Sequence, residues 1–241
     1  MSYVIFNVSD ICDMIRDRQR TKKDAAICFV GFKGQGKSTG AWKIAHKLGN
    51  YEVETNGTTF KAGNFVPETD MVYSRKDALD FIMNKRYKIL MVDEMINVGY
   101  NREFSAEDQQ AIIKALNQYR SPNYNCYLMC NPQFYDLDPD FRNLFWMRID
   151  VIRRGLALVH TVNESLYQND PWDTNYNRKV EESWRKNGLV KPHYHQLTTF
   201  RGLLLYGPMK PDEEQHYERV RNYKRAIANG TLTDQDTPNK N

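Results

Sequence analysis

The sequence predicts an α/β fold built as a three-layer, open and mostly parallel sheet. Three apolar runs of strand length, Ala25–Val30, Ile89–Val92 and Cys126–Cys130, carry no polar alternation, as in strands covered on both faces. The segments between them place apolar residues at helical spacing. Strands that alternate with helices provide the crossover connections that parallel strands need.

The composition is that of a soluble globular protein. The 241 residues are 41% hydrophobic, 27% charged and 12% aromatic, which excludes a disordered or fibrous chain. The formal net charge of +4 leaves any nucleic-acid contact to local clusters of basic residues. The four cysteines form no disulfide pattern, and no window approaches the roughly 18 apolar residues of a membrane span. We therefore expect reduced thiols, no membrane span and a cytoplasmic location.

The N-terminal elements form one βα unit. Residues 8–20 are expected to form an amphipathic helix that Ser9 and Asp10 cap. The buried strand Ala25–Val30 follows, and a glycine-rich turn joins it to a second helix, from Ser38 to Leu48. Gly49 and Asn50 supply the C-terminal stop of that helix.

The remaining elements continue the alternation. In chain order we expect extended segments near 51–53 and 71–73, a helix over 75–85, the strand 89–92, a helix over 105–119, the strand 126–130, a short helix over 141–146, and strands near 147–152 and 157–161. The chain is divided accordingly into an N-terminal helical segment (1–24), a core (25–162) and a small α+β C-terminal extension with a polar tail (163–241).

The glycine-rich turn carries the sharpest motif. Gly31–Ser38 fits the pattern G-x-x-x-x-G-K-S/T between a buried strand and a helix, which is the context that a phosphate-binding loop requires. Backbone N–H groups would cradle the phosphates of ATP, Lys37 would reach the β and γ phosphates, and Ser38 would bind Mg²⁺. The predicted nucleotide-binding residues are Gly31, Phe32, Lys33, Gly34, Gln35, Gly36, Lys37, Ser38 and Thr39.

Two carboxylates follow the strand Ile89–Val92. The carboxyl ends of parallel strands line the ligand crevice of an open sheet. We expect Asp93 to hold Mg²⁺ through water and Glu94 to activate the attacking water. A solvated turn is the alternative for this acidic pair.

With these two motifs the chain resembles the P-loop NTPases that carry an additional catalytic glutamate, over about residues 25–160. The resemblance implies that Asn131, or else Gln133, places a polar group beside the γ-phosphate. It also implies that Arg142 is an arginine finger for the neighbouring subunit of a ring. An Asn-Pro turn and a surface salt bridge are the structural alternatives, and Arg102 and Arg120 are competing fingers.

The compact motif set resembles more particularly the viral genome-packaging ATPases, namely the terminase ATPase domain and the FtsK/HerA-type motors. The resemblance implies a Mg-ATP-hydrolysing ring of five or six subunits that translocates double-stranded DNA. A viral portal or capsid protein would be its partner, in the host-cell cytoplasm. About 80 residues follow Asn163, too few for the nuclease domain of a terminase.

Other classes remain open at this point. An AAA-type DNA helicase or loader shares nearly all of these residues and would normally add a helical lid. A phage assembly ATPase of the zonula-occludens-toxin type would generally carry a membrane segment. A P-loop nucleoside or small-molecule kinase has little need of Glu94, and a guanine switch would need its base-reading motif after the P-loop, whereas Thr21–Asp24 precedes it.

Overall fold

The fold was analysed in a computed structural model of the protein. The structure describes residues 4–49, 51–55, 58–62, 65–93, 111–118, 124–162, 172, 199–228 and 231. The strands are β1 Ile5–Phe6, β2 Ala25–Val30, β3 Tyr51–Thr55, β4 Thr58–Ala62, β5 Met71–Val72, β6 Ile89–Val92, β7 Cys126–Asn131, β8 Met147–Arg153, β9 Leu156–Thr161 and β10 Phe200–Leu205. The helices are α1 Val8–Arg20, α2 Lys37–Gly49, α3 Pro67–Asp70, α4 Arg75–Asn84, α5 (111–118), α6 Pro139–Arg142 and α7 Pro211–Ala228.

Eight of these strands form one sheet, in the order β1-β10-β9-β8-β2-β7-β6-β5. The strands from β8 to β5 are all parallel, with β2 in the middle between β8 and β7. Strand β9 is antiparallel to both of its neighbours, and β3 and β4 pair separately as a hairpin. The predicted mostly parallel α/β sheet is confirmed.

The central strand β2 is buried on both faces, which explains its unbroken apolar sequence. Ile27 and Phe29 belong to a core that α1 and α2 cover. Cys28 and Val30 belong to a second core on the opposite face, together with α4 and α5. The sheet therefore lies between two layers, as the sequence predicts.

The predicted bounds of α1, residues 8–20, are confirmed, but its predicted cap and the predicted extent of the short helix at 141–146 were wrong. Helix α1 is capped by Asn7, whose Oδ1 accepts a hydrogen bond from the Ser9 amide at 2.7 Å. The Asp10 carboxylate in turn accepts a hydrogen bond from the Asn7 amide at 2.7 Å. The helix expected over 141–146 is the shorter α6, which Asp138 caps with Pro139 at its first position. Caps set these starts because they satisfy amide groups that have no partner inside the helix.

The C-terminal segment contributes to the same sheet. Strand β10 pairs with β9 and β1, and α7 follows it. The division into 1–24, 25–162 and 163–241 stays a prediction, because residues 163–171 and 173–198 lie outside the described residues.

The four cysteines are free and buried, and burial raises the pKa of the Cys12 thiol to about 12. Among the described residues, we found no helix with the length and apolar character needed to cross a membrane.

Candidate functional site

The loop Gly31–Ser38 connects β2 to α2 in a conformation that requires glycine. Gly31, Gly34 and Gly36 have φ angles of 147°, 83° and 96°, a region that side chains disfavour. A Cβ on Gly31 would lie 2.7 Å from the Val151 carbonyl oxygen. The Gly31 amide donates to the Pro132 carbonyl at 3.1 Å, so the loop lies at the carboxyl ends of both β2 and β7.

Lys37 reaches across this loop. Its Nζ donates to the Gly31 carbonyl at 2.7 Å and to the Phe32 carbonyl at 3.0 Å. Lys37 is also the first residue of α2, and the first turn of a helix has amide groups without helical partners. The loop therefore combines a cation with the free amides of a helix start, which suits a phosphate group.

Three side chains hold this loop in place, Gln35 from within it and Arg154 and Tyr206 from other parts of the chain. Gln35 donates to the Ile152 carbonyl at 3.0 Å, and Arg154 Nε donates to the Gly34 carbonyl at 3.1 Å. The Tyr206 hydroxyl donates to the Gly36 carbonyl at 3.1 Å. Tyr206 reaches this edge because β10 runs in the same direction as β2, being separated from it by the antiparallel strand β9 and by β8.

The carboxylate of Asp93 lies at the end of β6, beside Ser38, and both residues line the same cavity. Asp93 is only 6% exposed. Its Oδ2 accepts from the hydroxyls of Tyr73 and Tyr217, each at 2.8 Å. Its Oδ1 is buried, and none of the described residues makes a hydrogen bond to it.

This donor set fits Mg²⁺. Mg²⁺ is usually bound by one or two protein oxygen ligands together with waters and substrate phosphates. The hydroxyl of Ser38 and the unused Oδ1 of Asp93 supply such oxygens beside the phosphate-binding loop. The described part of the chain contains no cluster of three or more His, Cys, Asp or Glu side chains that could hold a metal ion.

The two tyrosines act as hydrogen-bond donors. Burial raises the pKa of Tyr73 and Tyr217 well above the ordinary tyrosine value, and the nearby Asp93 raises both pKa values further. A hydrogen bond with Ser38 acts in the opposite direction on the pKa of Tyr217. Both hydroxyls therefore keep their protons near neutral pH and donate them to Asp93.

The cavity has a volume of about 890 Å³, within the range of about 300–1,000 Å³ typical of ligand sites. Among the described residues, five basic and three acidic side chains line it: Lys33, Lys37, Arg154, Arg221 and Arg225, with Asp93, Glu214 and Glu218. This excess of positive charge favours a polyanion such as a nucleoside triphosphate.

Most of the predicted nucleotide-binding residues line this cavity. They are Lys33, Gly34, Gly36, Lys37, Ser38 and Thr39, with Asp93 as the predicted metal residue. Gly31, Phe32 and Gln35 do not line it: Gly31 and Gln35 shape the loop, and the Phe32 side chain is 69% exposed.

The other predicted site residues are placed differently. Asn131 is buried at the end of β7, where its amide donates to the Gln133 carbonyl and its Oδ1 has no partner among the described residues. Arg142 lies outside the cavity, with its guanidinium 5.1 Å from the Tyr135 ring centroid. Glu94, Arg102 and Arg120 lie outside the described residues. The catalytic roles of all these residues stay predictions.

Sequence reasoning missed the residues that the C-terminal segment supplies. Tyr206 directly follows β10, and Tyr217, Arg221 and Arg225 of α7 belong to the cavity lining. The sequence did contain a signal for this helix, because α7 begins with Pro211 and carries three acidic residues in its first turn. Both features favour a helix N-terminus. Five residues of α7 therefore line the cavity, since Glu214 and Glu218 do so as well.

The fold and this cavity define a P-loop nucleotide hydrolase. Residues 27–153, more than half of the chain, match the family model described as "ATPase family associated with various cellular activities (AAA)". The chain belongs to this family, and it is an ATP hydrolase that uses ATP with Mg²⁺. A search of curated protein sequences gave no match.

Solved structures also match the chain, at low identity and with TM-scores below 0.5. A RuvB variant from Thermotoga maritima is 16% identical, with a TM-score of 0.39, and the match covers 59% of this chain and 43% of that one. The FIGL-1 AAA domain in complex with ADP is 14% identical, with a TM-score of 0.39 and coverages of 60% and 50%. C. elegans PCH-2 is 12% identical, with a TM-score of 0.41 and coverages of 96% and 63%. The matches to RuvB and FIGL-1 span half or less of those chains.

Proposed function

We propose that this ATPase assembles into a ring and uses ATP hydrolysis to move double-stranded DNA. Members of the AAA family commonly form rings. The observation that carries the proposal is the position of Arg142, which lies outside the cavity of its own chain. In a ring such an arginine would face a neighbour's nucleotide, where it would stabilise charge on the transferred phosphoryl group.

A mixing experiment tests this arrangement. Arg142→Ala and Lys37→Ala subunits are each expected to be inactive alone. Mixed in equal amounts, they should regain part of the ATPase activity, because an intact Lys37 site then meets the intact Arg142 of its neighbour. Arg20→Ala, which removes an exposed arginine paired with Asp17, is the control and should be fully active alone. No recovery on mixing would refute an arginine supplied by a neighbour.

A basic surface supports nucleic acid as the partner. The loops at the amino ends of β2 and β6 carry five basic residues, which we call the basic edge: Lys22, Lys23, Lys85, Arg86 and Lys88. This edge lies at the opposite ends of the central strands from the nucleotide cavity. Clustered Lys and Arg side chains supply the salt-dependent attraction for phosphate backbones.

Hydrogen bonds hold the loops of the basic edge together. The buried Asn125 accepts from the Lys88 amide at 2.9 Å and donates to the Lys85 carbonyl at 2.9 Å. The rings of Tyr87 and Tyr124 lie beside these loops, with centroids 5.5 Å apart. These hydrogen bonds hold the backbone of residues 85–88, which carries three of the five basic residues.

Charge reversal tests the basic edge. Lys85→Glu should weaken binding of duplex DNA and reduce DNA-stimulated ATP hydrolysis, and the loss should shrink as salt is raised. Lys76→Glu makes the same charge change at the other end of α4 and serves as the matched control. Equal DNA affinity in the two variants would contradict DNA binding at this edge.

Two settings for such a motor can be separated by experiment. The compact motif set supports a viral genome-packaging ATPase, whose portal or capsid partner would be in the host-cell cytoplasm. The contribution of the C-terminal helix α7 to the cavity lining favours the second candidate, an AAA-type DNA helicase or loader. A packaging motor should displace a third strand from intact duplex DNA, whereas a helicase should separate the strands of a fork. Unwinding without duplex translocation would exclude packaging.

A further inference from the structure

We propose that Tyr217 is a positioning residue for the metal site, so that the C-terminal helix α7 completes the magnesium-binding geometry. The proposal deepens the function of the same cavity and rests on the prediction that Asp93 and Ser38 serve the metal. It concerns a residue that lies outside the segment 27–153 matched by the AAA family model.

The two oxygens of Asp93 have different surroundings. Oδ2 accepts two hydroxyl protons at 2.8 Å each, from Tyr73 and from Tyr217, while Oδ1 receives none from the described residues. Two donors on one oxygen fix the rotation of a carboxylate, because turning the group would break both bonds. The fixed carboxylate keeps Oδ1 available for the water shell of a metal ion.

The hydroxyl of Tyr217 also lies near Ser38. A hydroxyl has one proton to donate and two lone pairs that accept. Tyr217 donates its proton to Asp93, and Ser38 acts to lower the pKa of Tyr217, as a Ser38 hydroxyl that donates to a lone pair of Tyr217 would do. In that arrangement the lone pairs of Ser38 remain for the metal.

Packing against α2 and α3 fixes Tyr217 itself. The ring of Trp42, on α2, contacts the rings of Tyr217 and His216 at centroid distances of 5.5 and 5.8 Å. His216 Nε2 lies 2.8 Å from the Glu68 carboxylate of α3. The Tyr217 hydroxyl thus reaches Asp93 only when α7 is docked on these two helices, which couples the metal site to the position of α7.

Tyr73 provides an internal comparison. Its hydroxyl donates to the same oxygen of Asp93, but it follows β5 within the ATPase core and does not depend on α7. Loss of either hydroxyl should therefore weaken the metal site, and loss of the Tyr217 hydroxyl should also weaken the link between metal binding and docking of α7.

The test measures metal binding directly. Mn²⁺ binding in the presence of ADP is followed by electron paramagnetic resonance, and ADP binding is measured separately in EDTA. Removing a hydrogen bond that orients a metal ligand typically costs about 10–100-fold in metal affinity. We expect Tyr217→Phe to lose Mn²⁺ affinity within that range, with ADP affinity in EDTA unchanged. The Mg²⁺ concentration needed for half-maximal hydrolysis should rise in parallel.

Control variants make the result specific. Tyr223→Phe removes a hydroxyl from the same helix, at a position that does not line the cavity, and should bind Mn²⁺ as the wild type does. Tyr73→Phe should resemble Tyr217→Phe. Tyr217→Met leaves an apolar side chain without a donor and repeats the test if the phenylalanine variant does not fold.

Two results would overturn the proposal. Unchanged Mn²⁺ affinity in folded Tyr217→Phe would show that its hydroxyl is only structural, and tighter Mn²⁺ binding would show that Tyr217 blocks the metal. Asp93→Asn separates a wider failure: if this variant also keeps full Mn²⁺ affinity, the prediction that Asp93 serves the metal fails together with the proposal. If Asp93→Asn loses Mn²⁺ affinity and Tyr217→Phe does not, the prediction that Asp93 serves the metal stands and only the role of Tyr217 is rejected.

Discussion

The stability of the protein should fall in mild acid because of His160, which is enclosed in the sheet. The imidazole is only 13% exposed, with Nδ1 3.0 Å from the Thr199 hydroxyl and Nε2 3.5 Å from the Asp150 carboxylate. Burial, together with the positive charges of Arg148 and Arg201, lowers the pKa of His160 to about 4. The folded protein therefore keeps this histidine neutral.

The magnitude follows from the difference between folded and unfolded states. A histidine in the unfolded chain has a pKa of about 6.5. Below that pH the unfolded chain binds a proton at His160, whereas the folded chain does not bind it until the pH approaches the lower folded-state pKa. The stability that depends on neutral His160 is fully present above the unfolded-state pKa, and it is lost as the pH falls toward the folded-state pKa. Near pH 5 the expected loss from this one group is about 2 kcal/mol.

Urea unfolding measures this effect when the wild type is compared with His160→Gln, whose amide cannot take up a proton in this range. The free-energy difference between the two proteins should shift in favour of the variant by about 2 kcal/mol between pH 7.5 and pH 5. If the free energy of unfolding changed with pH equally in the wild type and in His160→Gln, the reasoning would be refuted, since His160 would then have the same pKa in the folded and the unfolded state.

Three further predictions concern the nucleotide site and its support. Lys37→Ala should abolish ATP hydrolysis in a phosphate-release assay, and Glu94→Gln should do so while still binding nucleotide; undiminished hydrolysis in both would contradict the assigned roles. Trp42→Ala should cost about 3–5 kcal/mol in urea unfolding, since this side chain is 0% exposed; a loss below about 1 kcal/mol would show that the site collapses freely. Tyr206→Phe removes the hydrogen bond to Gly36 and should weaken ADP binding up to about tenfold in isothermal titration. Unchanged affinity would mean that the loop keeps its conformation without this hydrogen bond.

The sequence alone predicted the features that depend on residues close together in the chain. The loop Gly31–Ser38 is such a case, because its glycines, Lys37 and Ser38 act within one strand-turn-helix unit. The apolar runs predicted the parallel strands for the same kind of reason, since a strand covered on both faces has no polar alternation. Asp93 followed directly, because it ends one of those strands.

Other features required the tertiary structure. Gly31, Phe32 and Gln35 belong to the motif but do not line the cavity, since the fold of the loop aims them elsewhere. Tyr206 and Tyr217 belong to no motif, yet they reach the site from 170 and 124 residues away from their hydrogen-bond partners. Periodicity shows that a segment is a strand or a helix, but it carries no information about which strand becomes its neighbour. The insertion of β10 beside β9 and the docking of α7 on α2 brought these two tyrosines to the nucleotide cavity, and long-range packing alone decides such contacts.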